Sequence, residues 1–231
     1  MHPPDSFLLP LFPLNIVLYP NMFLPLHIFE PRYHALVRYC VDEEEPFGVV
    51  LIAEGQPEDK EDIKPYKIGT VADIVQVDEL SEDRMNIWVA GSERFEILKY
   101  YQSPAEYLVG HVLPIDDEDA DPLLFLEQSN ALDSLLQRYL ELKMRLNSED
   151  PDRLDYQLAQ DPGIASYQIA TILDINLAEK QQLLEIRGLR DRLNKEIALL
   201  KREVAYLEQL LSTQRSPKVE RFSWGGEVHL N

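Results

Sequence analysis

The sequence predicts an α+β protein: a β-rich half over residues 1–115, an α-helical half over 116–215 that ends in a long helix, and a flexible tail over 216–231. Two patterns divide the chain this way. Before residue 115, short runs rich in Val, Ile, Tyr and Phe alternate with polar turn clusters, whereas beyond residue 121 leucines recur at helical spacing. Between them lies Asp116-Asp117-Glu118-Asp119-Ala120-Asp121-Pro122, a run too acidic to collapse on itself that ends in a proline suited to a first helical turn.

The opening segment carries Pro10, Pro13, Pro20 and Pro25 among large apolar residues. Proline has no N–H to give a ladder, so these stretches are expected at sheet edges, bends or crossings rather than in a central strand. Pro31 then starts a helix with Tyr33, Leu36, Val37, Cys40 and Val41 on one face, which places Cys40 in the core as a small, inert hydrophobe. Strands are expected over 71–77, 85–90, 95–100 and 107–113. Their separators, Ser81-Glu82-Asp83, Gly91-Ser92-Glu93 and Gln102-Ser103-Pro104, supply turn chemistry, and the spacing predicts a closed or nearly closed antiparallel sheet. Gly69 and Gly91 stand beside strands, where a turn or a close backbone approach excludes a side chain.

In the second half, the leucines of 123–146 with Tyr139 among them make one long amphipathic helix. Another is expected over 164–173 after Asp161-Pro162-Gly163, and a further one begins near Asn176. In the last helix Leu193, Ile197, Leu200, Val204, Leu207 and Leu211 alternate steps of four and three, the a/d spacing of a coiled-coil seam. That stripe either lies on its own bundle or joins two copies of the chain. Ser216-Pro217 ends the helix, and the tail, with Phe222-Ser223-Trp224-Gly225-Gly226, reads as flexible or as a short docking peptide.

Charge and cysteine content narrow the function. With 22 Lys and Arg against 41 Asp and Glu, the net charge of −19 repels phosphate backbones and anionic lipid headgroups, so neither nucleic acid nor membrane is an expected partner. One cysteine cannot form an internal disulfide, which fits a reducing compartment. The start, Met1-His2-Pro3-Pro4-Asp5, lacks a basic region leading into an unbroken apolar run, and a cytoplasmic location is expected.

The search for chemistry excludes more than it finds. His2, His27, His34, His111 and His229 form no metal-spaced pair, and with one cysteine no closed structural zinc site can be written. The acidic run lacks the alternating ligands and central glycine of a calcium loop and reads as a solvated linker. Neither G-x-S-x-G nor a phosphate-binding or dinucleotide-binding glycine run occurs, so no catalytic residue, metal or cofactor is expected. The candidate surface is apolar instead. Tyr19, Met22, Phe23, Phe29 and Tyr33 crowd a proline-punctuated stretch with edges left to pair, a composition suited to extended polypeptide.

Four stretches, in order, carry a family resemblance: Leu9-Pro10-Leu11-Phe12-Pro13-Leu14, the segment of 19–33 containing Phe29-Glu30-Pro31-Arg32-Tyr33, Ile68-Gly69-Thr70-Val71-Ala72 and Val89-Ala90-Gly91-Ser92-Glu93-Arg94-Phe95. The helical stretch ending Ala178-Glu179-Lys180-Gln181-Gln182-Leu183-Leu184-Glu185 extends it into the second half. Over roughly the first 200 residues the chain resembles the N-terminal, substrate-binding domain of Lon proteases. The resemblance implies a PUA-like barrel in the first half and recognition of unfolded or extended polypeptide, as an adaptor or regulator in protein turnover. It implies no catalysis here, because no position matches that family's catalytic serine and lysine or its phosphate loop. Two other readings stand beside it: an interaction protein with one folded partner, and an RNA-binding PUA-like protein, which the acidity opposes.

Overall fold

The computed structural model describes residues 5–56, 63–81, 84–117 and 122–215. The predicted tail, the 82–83 turn, His2, His229 and most of the acidic run lie outside them, as do the side chains of Leu123, Leu124 and Leu126. The strands are β1 (Phe7–Leu14), β2 (Phe23–Ile28), β3 (Phe47–Glu54), β4 (Lys64–Pro65), β5 (Ile68–Ser81), β6 (Arg84–Gln102) and β7 (Leu108–Ile115). Helix α1 (Pro31–Glu43) interrupts them, and α2 (Pro122–Leu146), α3 (Pro162–Ile172), α4 (Leu177–Glu185) and α5 (Leu189–Arg215) follow.

Strands β1, β7, β6, β5 and β3 lie side by side, and β1 also runs parallel to β3, so the sheet closes on itself as a barrel. Every other pairing is antiparallel. Leu9, Leu11, Val50, Val71, Phe95, Ile97 and Val112 fill the interior. Side chains pack so closely there that a Cβ on Gly69 would sit 2.5 Å from the Val49 carbonyl oxygen. β1 resolves its prolines by stagger. It pairs with β7 through Phe7 to Leu11 and with β3 through Leu11 to Leu14, so Pro10 and Pro13 each stand where only one neighbour flanks the strand. Pro25 lies in β2, which pairs with β6 alone.

One expected turn is absent. Gly91-Ser92-Glu93 lies inside β6, which runs unbroken through two of the predicted strands. Gly91 is spent on a crossing: its N–H donates to the Met22 carbonyl (2.9 Å) and its carbonyl accepts from the Asn21 N–H (2.8 Å). A Cβ at that position would collide with the Tyr19 carbonyl oxygen. The strand bends at breaks in register instead of turning back.

α1 starts at Pro31 and packs Tyr33, Leu36, Val37 and Cys40 against Met85, Ile87 and Val89 of β6. Burial pushes the Cys40 thiol up to about 12, so it is no nucleophile at neutral pH. Val41 departs from the expectation and is exposed. In the helical half, Asp161 Oδ1 accepts from the Ile164 N–H (2.9 Å) and Asn176 Oδ1 from the Glu179 N–H (2.9 Å), capping α3 and α4. The α5 stripe faces inward. Leu193, Leu200 and Leu207 are buried, with Ile197, Val204 and Leu211 packed beside them, in one cluster with Leu132, Leu136, Tyr139 and Leu142 of α2. The side chains predicted for self-association are therefore the inner face of the bundle, where they pack against α2 of the same chain. Among the described residues, no helix is long and apolar enough to cross a membrane.

Candidate functional site

The two halves share a core. Val17, Tyr19 and Leu51 from the sheet side belong to the same apolar cluster as the helices. Directed bonds fix their orientation: the Tyr19 hydroxyl donates to the Lys180 carbonyl (2.9 Å), and Gln181 Nε2 of α4 donates to the Ile68 carbonyl of β5 (2.9 Å).

At the centre of this junction lies a charged network. Arg94 of β6 reaches across to the Leu184 and Ile186 carbonyls (2.7 and 2.9 Å) and forms an ion pair with Asp117. Arg192 of α5, fully buried, donates to Ser166 Oγ (2.8 Å), Asp117 Oδ1 (3.2 Å), the Tyr167 hydroxyl (3.1 Å) and the Ile186 carbonyl (3.1 Å). Its guanidinium also lies 4.1 Å from the Tyr167 ring centre. Asp117, expected in a solvated linker, is thus bound by two arginines. One turn along α5 from Arg192, buried Glu196 accepts from the Ser166 hydroxyl (2.7 Å). Burial pushes its carboxyl up to about 8, against the opposing pull of Ser166 and Arg192, so it is protonated at neutral pH.

Beside the network the sheet and helices leave a cleft of about 270 Å³. One wall is the turn Tyr19-Pro20-Asn21-Met22, closed by the Met22 N–H donating to the Tyr19 carbonyl (3.1 Å). Proline second and Asn21 third at φ 62 have the signature of a type II turn, and this turn delivers Met22 and Phe23 to the cleft. Opposite stand Tyr156, Leu158 and, from α3, Thr171 and Ile172. Three of its polar side chains are already engaged: the Tyr156 hydroxyl donates to Asp133 Oδ1 (2.9 Å), Gln168 Oε1 accepts from the Ala159 N–H (2.8 Å), and Thr171 Oγ1 donates to the Tyr167 carbonyl (2.8 Å). What remains for a ligand is chiefly the apolar surface of Met22, Phe23, Leu158 and Ile172, with the Asn21 and Gln157 side chains beside it.

The five predicted contact residues separate. Met22 and Phe23 line this cleft, and Phe23 is 62% exposed. Phe29 is equally exposed but lies beyond the far end of β2, its ring stacked 5.9 Å from that of His27. Tyr19 and Tyr33 are core residues, a correction to their expected role: Tyr19 is wholly buried, and Tyr33 stacks 4.0 Å from Phe12. Leu158 and Ile172 carry no signal in the sequence, because only the fold brings them across from Met22. No group of three metal-ligating side chains occurs among the described residues.

Comparison with known proteins adds a family to this geometry. The family model of the ATP-dependent protease La (LON) substrate-binding domain matches residues 8–202. The chain is 29% identical over 209 residues to a Lon protease of Anaeromyxobacter dehalogenans, a match covering 89% of this chain and 24% of that one. Lon protease 2 of Myxococcus xanthus gives 29% identity with 89% and 25% covered, so the chain spans about a quarter of the length of the curated relatives it matches. Among solved structures, a Lon N-terminal domain protein from Xanthomonas campestris superposes with a TM-score of 0.60 at 25% identity, covering 83% of this chain and 98% of that one. The N-terminal domain of a Mycobacterium avium complex Lon protease, at 18% identity, shares the fold with a TM-score of 0.60 over 84% of this chain and 98% of its own.

Proposed function

The chain belongs to the family of LON substrate-binding domains, and on that premise we propose that it recognises extended, apolar polypeptide through the cleft beside Met22 and Phe23, with no bond-making chemistry of its own. The observation that carries the reading is the cleft itself. Adaptable Met22 and exposed Phe23 face Leu158 and Ile172 across a space where Tyr156, Gln168 and Thr171 are already hydrogen-bonded, so affinity comes mainly from apolar contact. Such a surface suits clients that differ in sequence but share exposed hydrophobic segments, as an adaptor or regulator of protein turnover in the cytoplasm would require.

Binding of the purified chain to an array of unstructured peptides of graded apolar content, at low and moderate salt, tests this. Aromatic and aliphatic peptides are retained with little salt dependence. Phe23→Ala weakens them by about tenfold or more while leaving thermal stability unchanged, because the side chain is exposed. Silence across the array, or a Phe23→Ala variant that binds as well as the parent, overturns the proposal.

A further inference from the structure

A second groove, of about 400 Å³, lies between the end of α1 and the middle of β5. Its architecture follows from one proline. β3 begins antiparallel to β5 with Phe47 opposite Ala72, and the next residue back, Pro46, has no N–H to continue the ladder. The chain turns away there. Among the described residues, β5 from Asp73 to Glu79 consequently pairs on one side only, with β6, and residues 73–77 form one wall of the groove. Val75 falls at a break in the β6 register and is 58% exposed, so apolar surface accompanies the free backbone edge.

The opposite wall is electrostatically unusual. α1 ends in Asp42, Glu43, Glu44 and Glu45 with no basic residue in its last turn, although the C-terminal end of a helix is already its negative pole. Glu44 also holds the left-handed conformation at φ 55 that favours glycine. Glu44 and Glu45 face the groove together with Asp73, no lysine or arginine lines it, and no ion pair among the described residues engages those three carboxylates. A helix end whose charge breaks the local rule without a paired cation is where a functional or strained site is expected.

We propose that this groove takes an extended, lysine- or arginine-bearing peptide segment, which adds as a strand to the free edge of β5 while its cations meet Glu44, Glu45 and Asp73. Backbone pairing supplies sequence-tolerant affinity, and the carboxylates select charge. The site is separate from the Met22 cleft and does not depend on it: the groove selects basic, salt-sensitive segments, the cleft apolar, salt-tolerant ones.

The test uses the whole chain and three short probes: a peptide alternating valine and lysine, its valine–glutamate counterpart, and the valine–lysine peptide N-methylated at alternate amides. The lysine peptide binds, loses affinity as salt rises, and slows amide exchange at residues 73–77 but not at Phe23. The glutamate and N-methylated peptides do not bind. Glu45→Gln and Asp73→Asn each weaken the lysine peptide by about two- to fivefold and leave apolar peptides unaffected. Equal binding of the lysine and glutamate peptides overturns the inference and leaves the carboxylates as a guard against strand-to-strand association. Full binding of the N-methylated peptide, or protection at 73–77 arising only from pairing of two copies of the chain, overturns it as well.

Discussion

The barrel interior and the junction between barrel and helices are both closely packed, but they are built differently. Inside the barrel, Phe95 and its aliphatic neighbours pack as one apolar cluster, and shape decides the fit. At the junction, Arg94, Arg192, Asp117, Ser166 and Glu196 hold the helices to the sheet by bonds with direction. Apolar contact is tolerant of small rotations, whereas a guanidinium shared between a carboxylate, two hydroxyls and a carbonyl is not. The cleft beside Met22 therefore inherits its geometry from the polar interface, although its own lining is apolar.

Arg192→Ala should break the comparison most severely. It takes one of two arginines from Asp117 and removes the donor shared by Ser166, the Tyr167 hydroxyl and the Ile186 carbonyl, and a loss of about 3–5 kcal/mol in denaturant unfolding is expected. Amide exchange should then show α3 and α5 losing protection while β5, β6 and β7 retain theirs; equal loss in both halves would erase the distinction. Phe95→Ala removes the ring at the barrel centre and should cost about 3–4 kcal/mol, lowering protection throughout because the helices rest on the barrel.

Glu196 sharpens the contrast through pH. Its folded pKa is raised, so its contribution to stability is complete below the unfolded value and is lost as pH rises through about 8. Stability measured by urea midpoint should decline on the order of 2 kcal/mol or more between about pH 6 and about pH 9, and Glu196→Gln should flatten that decline. A slope unchanged in the Gln variant would assign it to other groups. The smallest effect belongs to the end of α1. Glu44→Gly relieves a left-handed non-glycine residue and one crowded carboxylate, and should raise stability by about 1 kcal/mol in a thermal melt.

What the sequence discloses differs between these regions for a physical reason. Apolar spacing and capping chemistry are local, and they locate α1 from Pro31, α3 from Asp161-Pro162 and the buried place of Cys40. The closed sheet follows from strand spacing. Long-range pairing is not local. Arg192 and Asp117 stand 75 positions apart and read as ordinary surface charges until the fold joins them. The same limit hides which of Tyr19, Met22, Phe23, Phe29 and Tyr33 face outward, since all five have the composition of a core. The α5 heptads were correctly spaced for a seam, but spacing cannot say that the partner is α2 of the same chain rather than a second copy. Gly91 is ambiguous for a related reason: glycine marks a turn and a crossing alike, and only the position of Met22 distinguishes them.

The seam of the barrel has a consequence for biosynthesis. β5, β6 and β7 are consecutive in the chain and can pair as they emerge, but β1 must wait for β7, with Leu9 and its partner Gly110 roughly a hundred positions apart. Throughout that interval the earliest strand leaves the ribosome as an apolar ribbon, Phe-Leu-Leu-Pro-Leu-Phe-Pro-Leu, without its final neighbour. Pro10 and Pro13 interrupt its donors on either side of Leu11, at positions where the finished barrel asks for only one flank. A ribbon so interrupted offers other unfinished copies no continuous row of donors to pair with before the last strand closes the wall.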